Sequence, residues 1–312
     1  MLALCLLLGG CGGSDAPGGE RRPVKLALDF QPNAVHAGIL TASDEGLAAE
    51  RGLELTVRTP ASSSDSLKLL AAGRADLAVV DIHDLGLARE RGADVVGVGA
   101  IVQRPLAAVI VGPGVSRPRG LEGRRVGVTG LPSDDAVLTA VMEADGGDAG
   151  AVRRTTIGFS AVPSLVAGRV DGVVTFWNAE GVALRERGTR TTEFRVDDFG
   201  APRYPELVLA TTSEAMAREP ELVRDTVAAL AEGTRAALAD LPAAARRVAR
   251  ASDSDPALVQ AQLEAVAPAF EPPLELDRAV LERWARFDAR FGILERPPDL
   301  DEAFAFGFAP RR

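Results

Sequence analysis

The sequence predicts an α/β protein of two similar lobes, and three observations carry that prediction. From Val24 onward, short apolar runs with a period of two alternate with helix-like segments. That pattern belongs to β/α units on a parallel sheet with helices on both faces. The stretch LLAAGRADLAVVD at 69–81 is echoed by SLVAGRVDGVVTF at 164–176. A length of 312 residues with 46% hydrophobic content supplies cores for two lobes.

The first unit opens with VKLALDF (24–30), where Val24, Leu26, Leu28 and Phe30 share one face of a strand. Residues 34–50 read as a helix, 53–57 as a strand, 62–73 as a capped helix and 76–80 as a strand. A helix at 84–91 and a strand at 95–102 complete the unit. The second unit begins near Ala107, with strands at 107–112, 124–129, 152–157, 170–176 and 191–196. Helices at about 133–145, 160–167 and 178–187 lie between them. One more strand follows at 207–212, and 213–291 reads as nearly all helix. In each copy of the echo, Gly73 or Gly168 stops a helix and Asp76 or Asp171 opens a strand.

The N-terminal stretch MLALCLLLGGCGGSDAPGGERRP is too short in its apolar part to cross a bilayer, which takes ~20 residues, and reads as an export signal. Leu8-Gly9-Gly10-Cys11 resembles a bacterial lipobox, with Cys11 the lipidated residue and a Gly/Ser/Pro-rich tether after it. A plain secretory signal is the alternative. Cys5 lies within the signal, so the mature chain keeps Cys11 alone and builds no disulfide, metal cluster or thiol nucleophile. The expected location is extracytoplasmic, with lipid as the only membrane contact. A net charge of −9 and a pI near 5.0 argue against general affinity for nucleic acid or anionic membranes.

In open parallel sheets, ligands sit beyond the carboxyl ends of strands. The candidates from the first unit are Asp29, Asn33, His36, Ser62–Ser64, Asp81 and His83. Those from the second are Pro132, Ser133, Asp134, Phe159, Ser160, Trp177, Asn178 and Glu180. Polar and aromatic groups from two units suggest a cleft closing on a small molecule.

Here a family resemblance enters. Asp29-Phe30-Gln31-Pro32-Asn33-x-x-His36-x-Gly38 resembles the Asp-Trp-x-Pro-Asn-x-x-His-x-Gly signature of thiamine-pyrimidine-precursor proteins. That family includes bacterial ABC-importer binding proteins and the fungal pyrimidine synthase. Trp177-Asn178-Ala179-Glu180-Gly181-Val182 is similar to the Trp-Asn-x-Glu-Gly-Val segment of the binding proteins. The segments 130–136 and 200–207 match in order and spacing.

The resemblance implies a type II periplasmic-binding-protein fold, with crossings near 103–107 and 202–208 and hinge closure on ligand. The implied division is signal and tether at 1–23, lobe 1 at 24–104, lobe 2 at 105–206, and a return to lobe 1 at 207–312. It also implies a monomeric, non-enzymatic binding protein that hands a heterocycle to an ABC permease and its ATPase, with no cofactor or metal.

On that reading Trp177 stacks on an aminopyrimidine and Glu180 accepts from its amine. Asn33 reads a ring edge and His36 hydrogen-bonds the ring or a substituent. Structural alternatives stand beside these roles: a helix cap for Asn33, a buried histidine at His36, lobe packing for Trp177, and helix-start positions for Glu180, Asp134 and Asp135. Phe30 stands where the signature has tryptophan, and Asp81 where relatives often carry a stacking aromatic.

The synthase chemistry requires pyridoxal phosphate on a lysine, and the only lysines are Lys25 and Lys68. A sulfonate, nitrate or riboflavin-like ligand is the other alternative. An anion would want free helix N-termini and arginines, whereas Asp29, Asp81 and Glu180 favour a neutral or cationic ligand.

Overall fold

The computed structural model describes residues 21–60 and 65–309. Cys11 with its lipobox, and Ser62–Ser64, lie outside the described residues. Ten strands run in chain order: β1 (Arg22–Ala27), β2 (Leu53–Arg58), β3 (Leu77–Asp81), β4 (Val96–Val102), β5 (Ala107–Val111), β6 (Arg125–Val128), β7 (Arg153–Thr156), β8 (Gly172–Phe176), β9 (Thr192–Arg195) and β10 (Leu207–Thr211). They form two sheets, ordered β2-β1-β3-β10-β4 and β7-β6-β8-β5-β9.

Both sheets are mixed, which corrects the expectation of purely parallel ones. β10 runs antiparallel to β3 and β4, and β5 runs antiparallel to β8 and β9. The reason lies in the crossings. β4 ends at Val102 and β5 begins at Ala107, and so short a link cannot carry the chain back for a parallel strand. It enters the second sheet head-on, and β10 re-enters the first the same way.

The predicted helix at 34–50 is three pieces: a 3₁₀ turn Ala34–His36, a helix Ala37–Asp44 and a helix Leu47–Glu50. Gly46, at φ 77°, makes the break in a conformation that suits glycine. Gly38 of the signature serves packing. A Cβ there would lie 2.9 Å from the Thr234 Cα on the long helix Pro220–Ala239.

The C-terminal helices return to the first sheet, and one of them reaches the second lobe as well. Gln262, on the helix Pro256–Val266, donates to the Ala179 carbonyl oxygen at 3.4 Å. Among the described residues, no helix is long and apolar enough to cross a membrane.

Candidate functional site

A cavity of about 290 Å³ lies where the carboxyl ends of β1, β3, β6, β7 and β8 converge with the two crossings. Its lobe 1 wall begins at the exit of β1. Pro32 is followed by Asn33, whose side chain caps the 3₁₀ turn by accepting from Val35 N at 3.0 Å. The Asn33 amide N–H donates to His36 Nδ1 at 3.2 Å, which leaves Nε2 as the donor to Asp29 Oδ1 at 2.6 Å. His36 is fully buried and does not line the cavity, whereas Asp29 and Asn33 do. The expectation of His36 as a ligand reader is therefore corrected: it is a strut that aims Asp29.

At the exit of β3, Asp81 caps the helix Ile82–Glu90, accepting from His83 N at 2.7 Å and Asp84 N at 3.3 Å. Burial pushes its carboxyl up, against the pull of His83 and those two bonds. Behind it, His83 Nδ1 lies 2.8 Å from Asp288 Oδ2, and Nε2 lies 3.3 Å from the Tyr204 hydroxyl. Burial alone would lower the His83 pKa, but Asp288, Asp81 and Glu206 together raise it to about 10. Both ring nitrogens lie beside protein oxygens, and the Trp284 indole N–H also approaches Nδ1, at 3.4 Å.

Lobe 2 supplies Leu131, Pro132 and Ser133 after β6, and Phe159 after β7. Asp134 does not face the ligand as a free carboxylate. It accepts from the Thr129 hydroxyl and from the N–H groups of Gly130 and Leu131, at 2.6 and 3.0 Å. Phe159 meets Phe30 of lobe 1, with ring centroids 5.3 Å apart and exposures of 59% and 38%. Ser160 does not line the cavity.

The exit of β8 runs straight into a π-helical turn, Trp177–Gly181, a distortion that is frequent at functional sites. Phe176, Asn178, Ala179 and Glu180 line the cavity there, and Trp177 does not. Trp177 is only 2% exposed, and its Nε1 donates to the Pro105 carbonyl oxygen at 2.9 Å. The Arg195 guanidinium sits 4.2 Å from the ring centroid. This corrects the expected stacking role, and the cause is the strand period of two. Phe176 faces the ligand side, so its neighbour faces the lobe interior.

Asn178 is 3% exposed, and its Oδ1 has no hydrogen-bond partner among the described residues. Glu180 Oε2 accepts from Phe176 N at 3.3 Å.

Glu206, Asp84 and Gln262 also line the cavity and were not singled out from the sequence. Glu206 was findable, because it is a carboxylate abutting a fully buried strand at the second crossing. Gln262 was not, since only tertiary packing brings its distant helix to the cleft. Burial and then Asp81 push Glu206 up to about 8, and burial and Asp81 push Asp84 up to about 6. Among the described residues, no group of three or more His, Cys, Asp or Glu is arranged to hold a metal ion.

A family model described as "NMT1/THI5 like" matches residues 33–245. The formylaminopyrimidine-binding protein of Halalkalibacterium halodurans is 35% identical over 70% of this chain and 67% of its own length. A 4-amino-5-hydroxymethyl-2-methylpyrimidine phosphate synthase of Saccharomyces cerevisiae is 25% identical over 70% of this chain and 67% of its own. Among solved structures, the alkanesulfonate-binding protein SsuA of Xanthomonas axonopodis superposes with a TM-score of 0.72 at 16% identity, covering 92% of this chain and 99% of that one. The sulphonate-binding SsuA of Escherichia coli gives 0.75 at 14%, covering 90% and 96%. At such identities the likeness shows the fold, that of periplasmic binding proteins.

Proposed function

The chain belongs to the NMT1/THI5-like family, and on that premise we propose that it is the binding component of an ABC importer for a thiamine pyrimidine precursor of the hydroxymethylpyrimidine or formylaminopyrimidine type. The reading includes a monomer held outside the cytoplasm by lipid on Cys11, which delivers its ligand to a permease driven by an ATPase.

The observation that carries it is a buried acceptor without a partner, Asn178 Oδ1, in a cleft with phenylalanine walls and further acceptors on Asp29 and Glu180. An aminopyrimidine is flat and presents a donor amine beside acceptor ring nitrogens. Phe176, with Phe30 and Phe159, offers it apolar faces, and the oxygens offer its amine partners. Charge-assisted bonds to the carboxylates are the stronger ones.

The sulfonate reading is disfavoured by Asp134, because its carboxylate already takes the Gly130 and Leu131 N–H groups that an anion would use. The synthase reading is disfavoured by its missing lysine. Lys25 is exposed on β1, Lys68 is exposed and paired with Asp65, and neither lines the cleft. Both histidines are buried and bonded to carboxylates.

Titration calorimetry with 4-amino-5-hydroxymethyl-2-methylpyrimidine, its formylamino counterpart and an alkanesulfonate tests the proposal. A pyrimidine should bind, and raise the melting temperature as a ligand specific to the folded state does. Binding of the sulfonate alone would sink the reading.

A further inference from the structure

We propose that the cleft floor, where Asp81 and Glu206 stand at the β3–β10 junction, is a subsite for a positively charged amine arm on the pyrimidine ring. This rests on the pyrimidine reading above and sharpens it. The protein would select an aminomethyl-substituted ring over the hydroxymethyl or N-formyl forms.

The geometry begins with a side chamber of about 30 Å³ that shares Asp81, His83, Phe176 and Glu206 with the main cavity. That is room for about one water-sized group, so it fits an ammonium head and not a second ring. Its lining also includes Ala107, Val137 and Val174, with Thr129, Ser133, Asp134 and Thr175 as further polar neighbours. A donor entering it needs acceptors close by.

The acceptors are there. Glu206 is 4% exposed, and its Oε2 takes the Leu106 N–H of the other crossing at 2.7 Å. Its Oε1 has no partner among the described residues. Asp81 uses Oδ1 for both helix-capping bonds. Ile82 N donates to the Glu206 carbonyl oxygen at 3.1 Å, which fixes the two acidic residues side by side. The unpartnered Asn178 Oδ1 in the same main cavity adds a further buried acceptor.

Charges around the floor favour one more cation. Asp81 and Asp288 face His83, Asp84 stands at the rim, and Glu206, pushed up to about 8, adds a carboxyl that can release its proton to an incoming cation. On the lobe 2 side, Asp197 is paired with Arg104 at 2.6 Å and Asp134 is bonded to its own loop. Among the described residues, no arginine or lysine lines either cavity. In the empty cleft, Glu206 with its pKa near 8 holds a proton at neutral pH, where an ammonium would stand. An aliphatic amine stays charged at that pH and would displace it.

The test compares 4-amino-5-aminomethyl-2-methylpyrimidine with its hydroxymethyl and N-formyl counterparts. Calorimetry is run at pH 7 in two buffers of different ionisation enthalpy, on the wild type, Glu206→Gln and Asp81→Asn. Both variants keep an acceptor for the structural bond, and circular dichroism checks that they fold. The aminomethyl ring should bind roughly tenfold tighter than the hydroxymethyl ring, as for a charge-assisted bond, and release most of a proton. In Glu206→Gln the ratio should fall below about threefold and the proton release should vanish. Equal affinity for all three rings, or a ratio unchanged in both variants, overturns the subsite and leaves the pyrimidine reading standing. If none of the three rings binds, both fall.

Discussion

The two copies of the internal echo build the same frame and end in opposite chemistry. Gly73 and Gly168 sit at φ 63° and 65° as left-handed helix stops. Asp76 N donates to Lys25 O, and Asp171 N to Arg125 O, both at 2.8 Å. Each aspartate side chain accepts from the same partner residue, at 2.7 and 3.0 Å. β3 and β8 are both the middle strand of five.

Then the chains part. One frame ends in Asp81-Ile82-His83, the other in Phe176-Trp177-Asn178. In each triplet the first and third residues line the cleft and the second faces away. The first exit supplies charge and the second supplies an apolar face and an open acceptor. A duplicated scaffold thus gives one flat ring two unlike walls. His83 and Asn178 hold matching places, yet His83 is locked to Asp288 while Asn178 Oδ1 is unpartnered. We read the first as structure and the second as reserved for ligand.

The largest effects should come from the residues that face away. Trp177→Ala removes a buried indole together with its bond to Pro105 and its contact with Arg195. The expected cost is about 3–5 kcal/mol of stability, and Ile82→Ala should cost roughly 2–4. Neither should change affinity per folded molecule, while Phe176→Ala should weaken pyrimidine binding. Urea denaturation paired with calorimetry separates the two readouts. A Trp177→Ala protein of normal stability with a tenfold loss of affinity would return the indole to the site.

That contrast also explains what was legible in the sequence. Strand positions, the echo and the glycine stops follow from local periodicity and were readable. The segment around Trp177 was correctly placed at a strand end. Which neighbour turns to the cleft depends on the register of β8 against β5, where Phe176 pairs with Ala107, and local pattern does not set that. His36 was read as a ligand contact because its capping role needs the Asn33 N–H geometry to be seen. The antiparallel returns of β5 and β10 depend on how far a short crossing reaches. Gln262 belongs to a helix whose docking has no local signal.

The titrating groups gather at the Asp81 exit and the adjoining crossing, so pH should act mainly on that side. His83 holds its proton to about pH 10 when folded, against an ordinary 6.5. Its contribution is fully present below pH 6.5 and is lost as pH rises through 10. Glu206, raised to about 8, and Asp84, raised to about 6, also bind protons more tightly when folded, so their ionisation weakens the fold as pH rises from about 4 to 8. Asp145 acts in the other direction, held down to about 2 by Arg117, and its contribution fades only as pH falls below 4. The melting temperature should therefore peak in mild acid and fall by at least about 5 °C between pH 5 and pH 9. Glu206→Gln should flatten the part between pH 5 and pH 8. A melting temperature that rises across that interval in the wild type would show that these groups do not hold their protons as described.

The smallest effects test whether the two frames are energetically alike. Asp76 and Asp171 each close a two-bond clamp on the neighbouring strand, one through their own N–H and one through a carboxylate oxygen. Asp76→Ala and Asp171→Ala each remove one part-exposed acceptor, which should cost about 1 kcal/mol. Asp171 also lies 3.7 Å from Arg124 and 3.8 Å from Arg125. Exposed pairs at that range add roughly 0–1 kcal/mol, so Asp171→Ala should be equal to or slightly worse than Asp76→Ala. The asparagine variants keep the acceptor and remove the charge, and they separate the clamp from the ion pairs. If the clamp dominates, both asparagines stay close to wild type in urea midpoint and both alanines drop together. A large loss confined to one lobe would mean that the frames are alike in geometry only, and that one exit depends on its clamp far more than the other.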